Sequence, residues 1–271
     1  MRMEALSNRP ALVPAAVDRV SWDGRQAFDD QVAVEAPVAF VYNCRSHVVM
    51  MASPRDLHDF AIGFSLAEGV VANAGEVLTV RITPKGEGIS LAVNIPEHRA
   101  KALDSRSRNL AGRTGCGLCG IADISQALRP LPVSTASHRI PASALAAALG
   151  ALPEAQLLNR QTGAVHAAAF AASDGRLLCV REDVGRHNAL DKVIGAVARQ
   201  DLDPGAGFLV VTSRCSMEMV QKAATFGCSV LVAISAPTSL AIELAERSNL
   251  TIAAFARGTN LNLYAHPERV V

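Results

Sequence analysis

Cys116 and Cys119 stand close together in Thr114-Gly115-Cys116-Gly117-Leu118-Cys119-Gly120, whereas Cys44, Cys179, Cys215 and Cys228 each stand alone. Four chemistries use such a pair. A structural zinc site needs four ligands, and neither a second C-x-x-C nor paired histidines occur at suitable spacing. A zinc deaminase needs H-x-E followed by P-C-x-x-C. Here His166-Ala167-Ala168 lacks the glutamate, Arg113–Gly115 supplies no proline, and the cysteines precede the histidine. Gly115-x-Gly117-x-x-Gly120 also matches a dinucleotide fingerprint. Yet no apolar strand leads into it, and no acid lies between Asp123 and Glu154 to hold a ribose. Thiol chemistry remains. Cations and backbone N–H groups favour the reactive thiolate, and Arg106, Arg108, Arg113 and the glycine loop supply both. A second thiol can attack a sulfur held on the first, releasing it and leaving a disulfide. A glycine loop suits carrying a group on a mobile arm better than it suits redox shuttling, which uses a strand-to-helix junction.

A second cluster runs from Arg181 to Lys192 (REDVGRHNALDK), where seven of twelve residues are ionisable in a chain only 19% charged. His187 and Asp191, four apart, share one face of a helix. Such clusters mark functional sites and structural networks alike; in the plainer reading Asp183 or Asn188 caps a helix and the rest form surface ion pairs worth little. His166 has no partner legible from spacing and reads as a core or loop histidine.

The elements that must hold these groups follow from periodicity. Residues 1–19 read as a poorly ordered leader. Val38, Phe40 and Tyr42 alternate along one strand face within 32–53. A helix follows, with Ser53 as N-cap, Pro54 at N1 and Gly69 closing it. Strands over 77–83 and 89–95 flank a Pro-Lys-Gly-Glu-Gly turn. A basic segment over 99–113 leads into the cysteine loop, and 141–152 reads as a short helix. Beyond it, 176–181 predicts a strand and 188–197 a helix. Then 208–212, 229–235 and 250–256 are apolar strands separated by helices over 217–226 and 239–247, ended by Gly227 and Asn249. That β-α-β-α-β order predicts parallel strands. The division expected is a leader (1–19), a strand-rich subdomain (20–98), a basic segment with the cysteine loop (99–140) and an α/β domain (141–271).

Ligands of open parallel sheets bind beyond the carboxyl ends of the strands. Those ends read Ser213-Arg214-Cys215-Ser216, Ala236-Pro237-Thr238-Ser239 and Arg257-Gly258-Thr259-Asn260. Two of them open helices, whose N-termini favour anions. Together with Arg214 and Arg257 they suit a phosphate-bearing ligand. Taken singly, each hydroxyl reads first as a helix cap; the conjunction of both arginines is what favours binding.

Composition bounds the partners. The 271 residues are half hydrophobic and carry a formal charge of +1, so the chain is not disordered and has no basic excess for nucleic acid or a membrane surface. No apolar stretch reaches membrane-spanning length, the N-terminus lacks a signal-peptide core, and sparse cysteines predict a cytoplasmic protein with reduced thiols.

The blocks Thr114–Gly120, Thr162–Ala169 (TGAVHAAA), Arg181–Gly195 (REDVGRHNALDKVIG), Ser213–Ala223 (SRCSMEMVQKA) and Ser235–Ala245 (SAPTSLAIELA) resemble the formate dehydrogenase accessory sulfurtransferases, the FdhD family. The resemblance runs from about Val32 to the end. It implies a cytidine-deaminase-like α/β/α core in the C-terminal half, without the deaminase zinc, beside a smaller strand-rich subdomain, and a homodimer. It implies a sulfur carrier that accepts persulfide sulfur from a cysteine desulfurase. The sulfur would go to the molybdenum of bis-molybdopterin guanine dinucleotide before that cofactor enters formate dehydrogenase. By carry-over Cys116 holds the persulfide and Cys119 assists. The cofactor-binding stretch falls on Phe255, Ala256, Arg257, Gly258, Thr259 and Asn260, joined by Ser213, Arg214 and Ser216 from the strand-end reading. The alternative is a non-catalytic chaperone that holds the molybdenum cofactor for formate dehydrogenase.

Overall fold

The computed structural model of the chain describes residues 10–107, 130–258 and 260–271, with the backbone alone over 104–107. Cys116, Cys119, Arg108 and Arg113 lie outside the described residues, as does Thr259.

Strands β1 (Leu12–Ser21) and β2 (Gly24–Ala33) form a two-stranded antiparallel hairpin around Trp22 and Asp23. The leader expected over 1–19 therefore gives way to a strand from Leu12. The pairing is made by backbone, and the side chains alternate too weakly to announce it. Strands β3 (Ala36–Tyr42), β4 (Arg45–Ala52), β5 (Thr79–Lys85) and β6 (Gly88–Asn94) form a second sheet in the order β4-β3-β6-β5. Val38, Phe40 and Tyr42 point together into its core, as their alternation predicts. Helix α1 (Leu57–Ala67) covers that face with Phe60 and Phe64 against Phe40. It begins three residues later than its proline suggests. Ser53 cannot cap it, because its N–H donates to Asp183 and its hydroxyl accepts from the Val184 N–H. Asp56 takes the N-cap position at φ 54° without a side-chain cap bond. The segment from 99 was expected to lead straight into a loop; instead helix α2 (Glu97–Ser107) packs Ala100 and Leu103 into this same core, and Arg99 pairs with Glu76 at 2.9 Å.

The C-terminal half is a six-stranded sheet between helices. Its elements are α3 (Ala142–Ala155), α4 (Leu157–Thr162), β7 (His166–Ala172), β8 (Leu177–Asp183), α5 (Arg186–Arg199), β9 (Gly207–Val211), α6 (Met217–Phe226), β10 (Val230–Ala233), α7 (Ser239–Ser248), β11 (Thr251–Arg257) and β12 (Asn260–Ala265). The strand order is β12-β11-β10-β9-β7-β8. β9, β10 and β11 are parallel, as the β-α-β-α-β reading requires. The sheet as a whole is mixed, because β7, β8 and β12 run antiparallel to their neighbours. Every residue of β9 and β10 is buried, the mark of strands covered on both faces. Leu190, Val193, Val220 and Leu244 from α5, α6 and α7 pack on one face. Leu145, Leu149 and Leu152 of α3 pack on the other. The fold class is thus α/β, with three layers in this half. Gly227 (φ 92°) and Asn249 (φ 54°) end α6 and α7 in the left-handed conformation, as their sequence positions predict.

Candidate functional site

The antiparallel strands bring the two polar clusters to one edge. β7 runs against β9, with Ala168 opposite Val211 at the end of β9, so His166 starts its strand just beyond that end, near Ser213. β8 runs against β7, with Asp183 opposite His166, so Asp183 and the start of α5 reach the same edge. β10 ends there beside Cys215, which bridges to Pro237, and β11 turns there into β12 with Arg257 opposite Asn260. The edge of the sheet where β9, β10 and β11 end therefore collects His166, Arg186, His187, Ser213, Arg214, Ser216, Thr238, Arg257, Gly258 and Asn260.

Their local roles differ. The Thr238 hydroxyl accepts from the Ala241 N–H at 3.3 Å and is a helix cap, its plainer reading. Ser213 donates to the Arg214 carbonyl at 3.0 Å, and Ser216 occupies the N-cap position of α6 without a capping bond. Arg214 and Arg257 are exposed, one strand apart at this edge. Ala256 is buried among Ala253 and Leu149, so its side chain faces the core beneath α3. Phe255 is 45% exposed at φ 51°, where a register shift interrupts β11. Such a bulge re-aims a side chain, and here it turns a large ring outward.

The Arg181–Lys192 segment is not a set of surface ion pairs. It is a buried weld between the two halves of the molecule. Asp183 and Lys192 are fully buried and 2.6 Å apart. The Lys192 ammonium also donates to the Ser53 carbonyl. Asp183 further accepts from the N–H groups of Ser53 and Gly185 and from Asn188, which in turn donates to the Met51 carbonyl. Asp183 thus stays with Lys192, and Gly185 takes the N-cap position that Asp183 or Asn188 was expected to hold. Glu182 accepts from the first N–H groups of α4, at Leu158 and Asn159. Arg181 and Arg199 both donate to the buried Asp59 of α1. At the other end of α1, Lys222 binds Asp191 at 2.9 Å and Glu68 at 2.6 Å. Burial lowers the Lys222 pKa, but these two carboxylates outweigh it and hold it at about 12. Of these partners only Asp59 carried a legible signal, an acid within the mostly apolar helix α1.

His187 and Arg186 take no part in this weld's hydrogen bonds. His187 Nε2 and Arg186 Nε are buried with no hydrogen-bond partner among the described residues. The imidazole Nε2 stands 4.0 Å from Glu218 Oε2, beyond hydrogen-bond reach, with the side chains 15% and 17% exposed. Burial, then the charges of Lys222 and Arg186, push His187 down to about 4. Burial alone would raise Glu218; the Ser216 hydroxyl, its own backbone N–H and the neighbouring His187 and Arg186 bring it below its ordinary value. A neutral imidazole therefore faces a carboxylate at neutral pH. Glu218 lies inside a quoted block, yet nothing in its spacing set it apart.

The described thiols sort themselves by burial. Desolvation pushes Cys179 and Cys228 up to about 11 and Cys215 up to about 12, so all three keep their protons and are poor nucleophiles. Cys44 is exposed, in the turn between β3 and β4.

Comparison with known proteins covers nearly the whole chain. A sequence model described as the FdhD/NarQ family matches residues 33–271. The chain is 52% identical over 264 residues to a protein of Xanthomonas euvesicatoria pv. vesicatoria named sulfur carrier protein FdhD, spanning 97% of this chain and 94% of that one. It is 46% identical over 265 residues to a protein of the same name from Bordetella petrii, spanning 97% and 95%. The crystal structure of a putative formate dehydrogenase accessory protein from Desulfotalea psychrophila superimposes with a TM-score of 0.75 at 27% identity, over 97% of this chain and 100% of that one.

Proposed function

The chain belongs to the FdhD/NarQ family, and on that premise we propose that it is a sulfur carrier acting in the maturation of formate dehydrogenase. The observation that carries this reading is the pair Cys116 and Cys119, set among Gly115, Gly117 and Gly120 within the matched region, in a protein half identical to named sulfur carriers. The burial of Cys179, Cys215 and Cys228 supports it by leaving their thiols protonated. The Cys116 thiolate attacks the outer sulfur of a cysteine desulfurase persulfide. The desulfurase leaves as a thiolate, and Cys116 keeps the persulfide. The Cys119 thiolate then attacks the inner sulfur, forming a Cys116–Cys119 disulfide and releasing hydrosulfide for the molybdenum of bis-molybdopterin guanine dinucleotide. A cellular thiol reduces the disulfide for the next round. Arg214 and Arg257 at the strand-end edge, with the helix N-termini behind them, are suited to the phosphates of that substrate. Formate dehydrogenase is the recipient, and the working unit is a homodimer.

Mass spectrometry after incubation with a cysteine desulfurase and cysteine tests the first step. We expect an adduct of about +32 Da on Cys116 or Cys119, lost in Cys116→Ala. Absence of sulfur from both, in a protein that still supports formate dehydrogenase, would replace the carrier with a cofactor-holding chaperone.

A further inference from the structure

An open cavity of about 600 Å³ lies where the first turn of α1 meets β5, β8 and the end of α5. It is separate from the strand-end edge. Helix α5 runs from Arg186 at that edge to Arg199 at the cavity, about 20 Å at 1.5 Å per residue. Three guanidiniums line the cavity, those of Arg55, Arg181 and Arg199, against the two carboxylates of Asp56 and Asp59. The Asp59 side chain, only 4% exposed, is used up in holding two of them. Arg181 Nε reaches one of its oxygens at 2.8 Å, and Arg199 Nη1 reaches the other at 2.7 Å. Arg181 Nη1 donates to the Val180 carbonyl. Arg181 Nη2 and the Nε and Nη2 of Arg199 then have no hydrogen-bond partner among the described residues. Arg55 comes no nearer than 4.0 Å to Asp56, and Arg181 no nearer than 3.7 Å. A guanidinium pinned along one side presents its remaining donors as a fixed fork, which suits an oxyanion.

Charge and lining select the oxyanion. Burial, and then Arg199, hold His58 of the same cavity below its ordinary value against the pull of Asp59, so the imidazole is neutral at pH 7. Three guanidiniums against two carboxylates leave one positive charge. A single carboxylate balances it, whereas a dianionic phosphate would overshoot it beside Asp56 and Asp59. Pro54, Leu57 and Ile82 make the rest of the lining apolar, and a space of this size takes an organic body as well as a charged group.

We propose that this cavity binds a monocarboxylate carried on an apolar body, with Arg181 and Arg199, set in place by Asp59, holding the carboxylate beside Arg55. A small organic acid and the C-terminal end of a peptide both present that chemistry.

Titration of the full chain, followed through the His58 ring signals by NMR, tests it; His58→Gln identifies those signals. The probes are formate, hexanoate, hexanamide, inorganic phosphate, and acetyl-alanyl-leucine as free acid and as amide. We expect hexanoate to move the signals saturably and to bind at least about tenfold more tightly than formate, since each fully buried methylene is worth about fourfold. Hexanamide, which keeps the body and lacks the charge, should leave them in place. Arg199→Gln should weaken hexanoate about tenfold, the worth of a hydrogen bond to a charged group. Arg247→Gln, which removes an equal charge from an exposed position on α7, should change nothing. Thermal melts show whether Arg199→Gln is folded; if it is not, Arg55→Gln takes its place with the same expected sign, because the Arg55 side chain makes no hydrogen bond that the fold would lose. The peptide acid binding more tightly than hexanoate, with its amide silent, assigns a peptide C-terminus, and the reverse order assigns a small acid. Hexanamide acting like hexanoate, undiminished hexanoate affinity in the folded arginine variants, phosphate binding more tightly than hexanoate, or no response to any probe overturns the proposal.

Discussion

At the scale of single residues, the molecule treats similar side chains in opposite ways. Lys192 and Asp183 are welded together out of water, whereas Arg186 and His187, a few positions away, keep buried nitrogens with no hydrogen-bond partner among the described residues. His187 gives this a thermodynamic consequence. Its pKa falls from 6.5 in the unfolded chain to about 4 in the fold, so the unfolded state binds the extra proton between those values. Stability contributed by the neutral imidazole is then complete above pH 6.5 and declines as the pH falls toward 4. Between pH 7 and pH 5 this single group accounts for about 2 kcal/mol. Urea unfolding of the wild type and of His187→Gln at the two pH values should show that extra loss in the wild type only; equal slopes would mean the imidazole is not held neutral. The ionisable density of Arg181–Lys192 was plain in the sequence. Its division into welded and unpaired groups was not, because the partners Ser53, Asp59 and Lys222 lie more than 20 residues away.

At the scale of elements, the contact between α1 and α5 joins the two halves. It is close because glycine stands on both sides. A Cβ on Gly63 would strike the Asp191 carbonyl, and one on Gly195 would strike the Asp59 carbonyl. Since packed cores resist added volume, Gly63→Ala and Gly195→Ala should each lower the unfolding free energy by about 2–3 kcal/mol and draw the Asp59–Arg199 and Asp191–Lys222 pairs apart. Gly150, in the exposed middle of α3 with nothing near its Cβ position, gives the opposite sign. Gly150→Ala should raise stability by about 0.5–1 kcal/mol through helix propensity. A denaturant series across the three variants separates a helix crossing that needs glycine from one that tolerates it. The helices themselves were readable from periodicity and from Gly227 and Asn249. Their starts were less so, since Ser53 was drawn from capping into the weld.

At the scale of the whole molecule, two cored halves share the α1–α5 seam, and the hairpin β1–β2 stands outside both cores. A two-stranded ribbon is marginal in water by itself. Its turn carries Trp22, the chain's single tryptophan, fully exposed, with Val20 68% exposed beside it. In the isolated monomer Trp22 emission should match that of free tryptophan and be quenched fully by acrylamide. A blue-shifted, protected signal that sharpens with protein concentration would show a second copy covering the arm. The sequence by itself determined the α/β class, the parallel run β9-β10-β11 and its helix ends, because hydrophobic period and chain-reversing residues are local properties. The resemblance of its longest blocks gave the family. Only the tertiary structure decided that β7 and β8 run antiparallel and carry His166 and Asp183 to the edge where β9 ends. It alone decided that Ser53 belongs to Asp183, and that Glu218 meets His187. Those are matters of burial and strand direction over long separations, and a charge gives no sign in one dimension of which charge it will face in three.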